Sequence, residues 1–200
     1  MNFILASASP RRADLLKQAG IPFEVVVPSV SEEVREEGSP EEKVRLVAEK
    51  KAFAVAGKLK NGFVVAADTA VLAEGRILGK PGDSREAFQM LRLLAGRRHE
   101  VLTGLVVCDT AAGRYKSGVK KTSVWLKKLT DRQIRAYVAS GEPMDKAGAY
   151  GIQGRAALFI EKINGCYSNV VGLPLGLLYE LTTSLDIPLW LNGRDGEHAE

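Results

Sequence analysis

A mixed α/β sheet with a cleft is the fold this sequence predicts, and three observations predict it. Through the first hundred residues, short apolar β-branched runs alternate with amphipathic segments of helical length. Further along, the pattern turns hairpin-rich. Between the two lies Gly62–Leu72 (GFVVAADTAVL), which starts as the buried-strand run Phe63-Val64-Val65-Ala66-Ala67 and then sets Asp68 and Thr69 at its end. A carboxylate at the mouth of a buried strand costs several kcal/mol, roughly, unless it is paired, bound to a metal or used in catalysis. A turn or helix N-cap residue is the plainer alternative for Asp68.

The chain has 200 residues, 46% apolar and 26% charged, the profile of an ordinary globular protein with a substantial core. With no internal repeat and no long linker, a single domain is expected over 1–200. No apolar run nears the ~20 residues that span a bilayer, and the N-terminus lacks a basic leader, so no membrane association is expected. Cys108 and Cys166 are too few for a disulfide scaffold or a cysteine-built metal site, which points to a cytoplasmic protein with packed thiols. The formal net charge of +4 favours anionic partners.

Phe3–Ala6 reads as the first strand. Ser9 then serves as N-cap and Pro10 as first helical residue of a helix that stops at Gly20, its buried face made by Ala13, Leu15, Leu16 and Ala19. Strand, small-residue turn and helix N-terminus form a place for an anion. Arg11 and Arg12 sit in that first turn, where the helix dipole disfavours cations, so a phosphate chain held by bidentate contacts explains them better than chance, with solvated surface arginines as the alternative. Phe23–Val27 is a second strand. The loop after it carries Ser31-Glu32-Glu33, either solvated surface or a carboxylate for a metal that travels with a polyphosphate.

Ser39, Pro40 and Glu42 make a capping box for the next helix, which Gly57 closes. Val44, Val47, Ala48, Lys51 and Ala52 share its buried side, leaving Glu49 and Lys50 near the edge, facing a cleft or water. After Asp68-Thr69 a hairpin should turn at Glu74-Gly75 and lead into the stiff Gly79-Lys80-Pro81-Gly82-Asp83 turn, bringing the Lys80 cation back towards Asp68. Asp83 caps a helix to Ala95, with Ala87, Met90, Leu91 and Leu94 as its core stripe.

Val101–Cys108 is a long apolar strand. His99, just before it, reads as an ordinary polar residue, and with His198 the only other histidine, neither a histidine-built zinc site nor a Ser-His-Asp triad is expected. Ser117–Leu126 is a further strand, and Thr130 and Gln133 cap a short helix. Lys116, Lys120, Lys121, Lys127, Lys128 and Arg132 concentrate here without interleaved stacking aromatics, as on a solvated edge strand, so a stable nucleic-acid partner is not expected. Glu142–Gly154 (EPMDKAGAYGIQG) is a shaped glycine-rich loop in which Gln153 can read a base edge by donating and accepting. Ala157–Ile160 and Ile163–Tyr167 are expected to form a closing hairpin. A last helix should end near Leu185, and Asn192–Glu200 is a polar tail.

Taken together, LASASPRR (5–12), AADTAV (66–71), LGKPGD (78–83), HEVLTG (99–104), DKAGAYGIQG (145–154) and NVVGLPL (169–175) resemble the Maf family of nucleoside triphosphate pyrophosphatases over nearly the whole chain. The resemblance implies an elongated two-lobed α/β/α structure, Maf/ITPase-like, with a central mixed sheet and a deep cleft. It implies hydrolysis of the α–β bond of a nucleoside triphosphate to the monophosphate and pyrophosphate with a divalent cation, Mg²⁺ or Mn²⁺. The AYGIQG form of the loop is similar to the branch acting on dTTP and UTP. By motif, Asp68 corresponds to the proton acceptor, and Arg11, Thr69 and Gln153 to positions linked with substrate choice. Ser7, Arg12, Lys50 and Lys80 fall on the phosphate side. Glu32, with Glu33 as its alternative, would join Asp68 at the metal. A homodimer is a further family expectation. The rival reading is a nucleotide-binding regulator of septum formation that does not turn its ligand over.

Overall fold

The computed structural model describes residues 3–31 and 37–189. One seven-stranded mixed sheet organises them, in the order β2-β1-β3-β5-β6-β7 with β4 beside β3. Its strands are β1 (Phe3–Leu5), β2 (Phe23–Val25), β3 (Phe63–Ala73), β4 (Arg76–Leu78), β5 (Arg98–Asp109), β6 (Arg114–Leu126) and β7 (Ile160–Asn164). β1 runs parallel to β2 and β3, and every other pairing is antiparallel. The helices are α1 (Pro10–Gln18), α2 (Pro40–Ala56), α3 (Ser84–Leu94), α4 (Asp131–Val138), the short α5 (Tyr167–Val171) and α6 (Leu175–Thr183).

Local chemistry starts these elements where the sequence marks them. At α2, Ser39 Oγ accepts from the Glu42 N–H at 3.2 Å while Glu42 takes the Ser39 N–H at 2.7 Å. Asp83 caps α3 through the Glu86 N–H at 2.7 Å, and Thr130 with Gln133 caps α4. The β3–β4 hairpin turns on Glu74 and Gly75, both with positive φ (49° and 74°), as a tight two-residue turn requires.

Alternation along β3 assigns its two faces. Val64 and Ala66 pack with Ala48, Ala52 and Val55 of α2. Val65 and Ala67 pack on the other side with Leu15 and Leu16 of α1 and Leu178 and Leu181 of α6. Further along that same side, Val71 and Ala73 meet Leu91 and Leu94 of α3 and Ile134 of α4. Helices thus cover both faces of a mixed sheet, the α/β arrangement the sequence predicts.

The expected closing hairpin is not formed. Arg155–Phe159 is a 3₁₀ turn, Ile160–Asn164 pairs with β6 across a bulge at Trp125/Leu126, and Tyr167–Val171 is helical. The outer edge of β6 offers this segment a partner 34 or more residues away, a choice invisible to local pattern. β2 ends at Val25 rather than Val27, and the polar tail Asn192–Glu200 lies outside the described residues.

Candidate active site

A break in the pairing of β3 creates the site. β5 lies along one edge of β3 from Phe63 to Leu72. On the opposite edge β1 covers only Phe63–Val65, and β4 covers only Val71–Ala73. Among the described residues, therefore, no strand lies beside residues 66–70, which include Asp68 and Thr69, on that edge. The opening lies past the carboxyl end of β1, where open α/β sheets commonly take ligands. It is a cavity of about 490 Å³, a size suited to a small-molecule ligand.

Asp68 and Thr69 are neighbours on a strand, so their side chains leave by opposite faces. Asp68 turns to α2, where Lys51 Nζ donates to its Oδ1 at 2.7 Å. The two side chains are only 8% (Lys51) and 18% (Asp68) exposed. Small residues let the helix come this close. Ala48, Ala52 and Ala66 are fully buried, and opposite Asp68 in the register is Gly104. A Cβ on Gly104 would stand 2.4 Å from the Val44 carbonyl oxygen, so α2 backbone rests directly on β5 at that point. Lys50 is placed on the exposed side of α2 and does not line the cavity. One residue is about 100° of helix rotation, so only one of two adjacent lysines can face the sheet.

Thr69 turns to the other face and meets Arg12, whose side chain is committed to the protein. Its Nε donates to the Gly172 carbonyl at 2.8 Å, its Nη1 to the Ala67 carbonyl at 2.7 Å and to Ser7 Oγ at 3.2 Å, and its Nη2 to Thr69 Oγ1 at 3.1 Å. Arg12 thus stands in for the missing strand: it takes the bare Ala67 carbonyl and ties α1, β3 and the end of α5 together. Ser7 Oγ also accepts from the Ser9 N–H at 3.1 Å, and Ser9 occupies the N-cap of α1 without a side-chain cap. The first turn of α1 thus presents N–H groups at the cavity wall, a setting that favours an anion.

The loop from Glu142 to Gly154 closes the mouth. Arg11 Nη1 pairs with Asp145 Oδ2 at 2.6 Å, and Lys146 Nζ donates to Asp145 Oδ1 at 2.6 Å. Partial burial works against the Asp145 charge, but the bonds from Lys146 and then Arg11 outweigh it and hold the carboxyl at about 2. Gly148, at φ +66°, gives its N–H to the Gly79 carbonyl at 3.0 Å, so this loop and the turn bearing Lys80 are joined. Any Cβ there would lie 2.8 Å from Val71 Cγ2, which only glycine avoids. Tyr150 is anchored from behind by His99, whose Nε2 lies 2.7 Å from its hydroxyl. His99 is 2% exposed, and burial pushes it down to about 4. It is a buried neutral anchor of the loop, not the ordinary polar residue its position suggests.

A model of the family described as Maf-like protein matches residues 2–185. The chain belongs to the Maf-like family. It is 51% identical over 179 residues to the dTTP/UTP pyrophosphatase of Carboxydothermus hydrogenoformans, covering 90% of this chain and 96% of that one. With the dTTP/UTP pyrophosphatase of Geotalea uraniireducens it shares 52% identity over 174 residues, 87% and 90% of the two chains. Among solved structures, a HAM1 protein from Coxiella burnetii aligns with a TM-score of 0.45 at 15% identity, over 80% of this chain and 91% of that one.

In the Maf-like chain the cavity gathers Ser7, Arg11, Arg12, Asp68, Thr69, Lys80 and Gln153 from separate segments of the sequence. Lys51, Asp145, Lys146 and Tyr150 join them, and sequence reasoning assigns these no role. Lys51 carries a usable signal, since a lysine on the apolar side of a helix needs a partner. Glu32 and Glu33 lie outside the described residues. Among the described residues no three acidic, histidine or cysteine side chains gather as a metal site. Asp68, with Oδ1 given to Lys51, lines the cavity. One carboxylate oxygen suits a magnesium-like ion that brings water and phosphate oxygens as its other ligands.

Proposed function

We propose that this chain hydrolyses dTTP and UTP to the nucleoside monophosphate and pyrophosphate. The observation that carries the reading is the Lys51–Asp68 pair at the gap in β3, in one cavity with the first turn of α1. A carboxylate and an anion-binding helix turn together suit water attack on a phosphate ester or anhydride. The substrate class comes from the pyrophosphatases that this chain matches at about half identity.

In the proposed reaction a water attacks the α-phosphorus and the bond from that phosphorus to the α–β bridging oxygen breaks. Pyrophosphate leaves, and the water's proton passes to Asp68. Lys51 holds the Asp68 carboxylate in place through Oδ1, so Oδ2 faces the water. Ser7 accepts two hydrogen bonds, from Ser9 N–H and Arg12, and its own proton is therefore free to meet a phosphate oxygen. Lys80 and Lys146 supply positive charge where the non-bridging and leaving oxygens gain negative charge. A divalent cation held by Asp68 would neutralise the triphosphate and polarise its phosphorus. Arg11 and Gln153, at the mouth, face the base and sugar. The proposed setting is the cytoplasm.

Pyrophosphate release measured across dTTP, UTP, dCTP and ATP, with Mg²⁺ or Mn²⁺ and then with chelator, tests this. Metal-dependent release from dTTP and UTP, lost in a folded Asp68→Asn protein, is expected. Stoichiometric binding of nucleotide with no product refutes the enzymatic reading.

A further inference from the structure

Three glycines punctuate the loop from Glu142 to Gly154, and they serve different ends. Gly148 has a positive φ of 66°. Gly151 and Gly154 do not adopt positive φ, so what they supply is space. A Cβ on Gly151 would stand 2.6 Å from Lys146 Cε, and one on Gly154 would stand 2.2 Å from Glu142 Oε1 and 2.6 Å from Glu142 Cδ. The second half of the loop thus folds back onto side chains from its own beginning. At Gly154 the contact is a junction. Glu142 Oε1 accepts from the Tyr137 hydroxyl at 2.9 Å, and Oε2 accepts from the Arg155 N–H at 3.0 Å, 13 residues along the chain. Tyr137 gives a firm footing, since it is buried on α4 and packs edge-on against Phe159. One carboxylate therefore joins α4, the start of the loop and its end.

The two halves of the loop are held differently. Asp145, Gly148 and Tyr150 bond to Arg11, Gly79 and His99, which fixes the first half. In the second half Ile152 packs against the core below α1 and α6, but Gln153, Gly154 and Arg155 are exposed. An exposed segment has little packing to hold it, so its path rests on the bonds its backbone makes. We infer that Glu142 is a substrate-positioning residue: its carboxylate staples the end of the loop to its start and so holds Gln153 at the cavity mouth. This rests on the dTTP/UTP reading above, in which Gln153 meets the nucleotide. Glu142 is not among the residues lining the cavity and acts through Gln153, which is. Lys146 is held separately, by donating to the Glu142 backbone carbonyl at 2.7 Å, a bond independent of the Glu142 side chain.

Gly154→Ala removes the staple without touching Glu142. The extended backbone at 154 (φ −98°) suits alanine, and the new Cβ drives the carboxylate off Tyr137 and Arg155. Calorimetric titration with the non-hydrolysable α,β-methylene analogue of dTTP should show binding about 10-fold weaker in Gly154→Ala and in Glu142→Ala, the size of one charged hydrogen bond. The double variant should be no weaker than either single one, because both act on one contact. Glu142→Gln should stay within about twofold of wild type, since its amide can accept from the Arg155 N–H and donate to the Tyr137 oxygen. In turnover the loss should fall on KM, with kcat within about threefold, because Asp68 and Lys51 belong to β3 and α2 and not to the loop. Losses that multiply to about 100-fold in the double variant overturn the inference, as does wild-type affinity in Gly154→Ala. A Glu142→Ala protein that loses kcat with KM unchanged overturns it too. Hydrogen exchange supplies an arm that needs no nucleotide. Amides of residues 151–155 should exchange faster in Glu142→Ala while β3 and β5 keep their protection, and unchanged exchange at 151–155 overturns the staple. Failure of the dTTP/UTP reading shows separately, as a wild-type protein that neither binds the analogue nor releases pyrophosphate from dTTP while exchange still responds to Glu142→Ala.

Discussion

Gly104→Ala probes the closest helix–sheet approach at the site. An alanine Cβ at this position would lie 2.4 Å from the Val44 carbonyl oxygen, 2.6 Å from its carbon and 2.7 Å from the Arg45 nitrogen. All three are backbone atoms, so no side chain can swing aside. Real Cβ contacts essentially never fall below 3.0 Å, and α2 must therefore lift from β5 by at least about 0.6 Å. Overpacking of this kind costs about 1–3 kcal/mol. Gly104 is paired with Asp68, and α2 carries Lys51, so the lift acts on the 2.7 Å Lys51–Asp68 contact. Displacements near 1 Å can lower turnover by about 100-fold, so a fall in kcat of about 10- to 100-fold is expected with a smaller change in KM. Gly118→Ala is the control: its Cβ would meet only the flexible end of Leu177, at 3.1 Å. Urea unfolding and steady-state pyrophosphate release on both variants measure the two effects. A Gly104→Ala protein with wild-type stability and kcat would refute the argument that this contact sets the helix position.

Adjacent lysines give a second test. Lys51→Met should reduce kcat by about 100-fold or more, as loss of a charge from a preorganised site does, whereas Lys50→Met should stay within about twofold of wild type. Equal effects would show that α2 is rotated from the arrangement described. His99 supplies a pH test. Burial holds its folded pKa at about 4 against 6.5 for the free side chain, so the unfolded chain takes up a proton that the folded one refuses. Its contribution is therefore absent above pH 7 and becomes destabilising as pH falls from 6.5 towards 4, reaching about 2 kcal/mol at pH 5. Unfolding free energies of wild type and His99→Gln should diverge by that amount between pH 7.5 and 5. Parallel losses would mean that His99 is not held neutral.

Much of the fold is legible in the sequence through local chemistry. Ser39 with Glu42, Asp83 with Glu86, and Thr130 with Gln133 mark helix starts because their bonding partners lie three residues away. Glu74-Gly75 marks a turn because two positive φ angles in succession suit few residue pairs. Asp68 stands out because an apolar run that ends in a carboxylate must find that charge a partner. The partner itself is not legible. Helical periodicity puts Lys51 on the buried side of α2, yet which strand that side meets depends on how the helix settles on β3 and β5. Arg12 reads as a phosphate ligand because nothing local predicts acceptors at Ala67 and Gly172, 55 and 160 residues away. His99 and Tyr150 meet across 51 residues, and Thr69 and Thr103 across 34.

Where the elements begin and end, and which residues carry chemistry, therefore follow from the amino-acid order alone, through bonds within a few residues and the cost of burying charge. The gap in β3 at residues 66–70, the pairing of Lys51 with Asp68 and the meeting of Thr69 with Thr103 do not. Each of these is set by groups that come together solely when the sheet closes, and by the rule that buried donors and acceptors must meet.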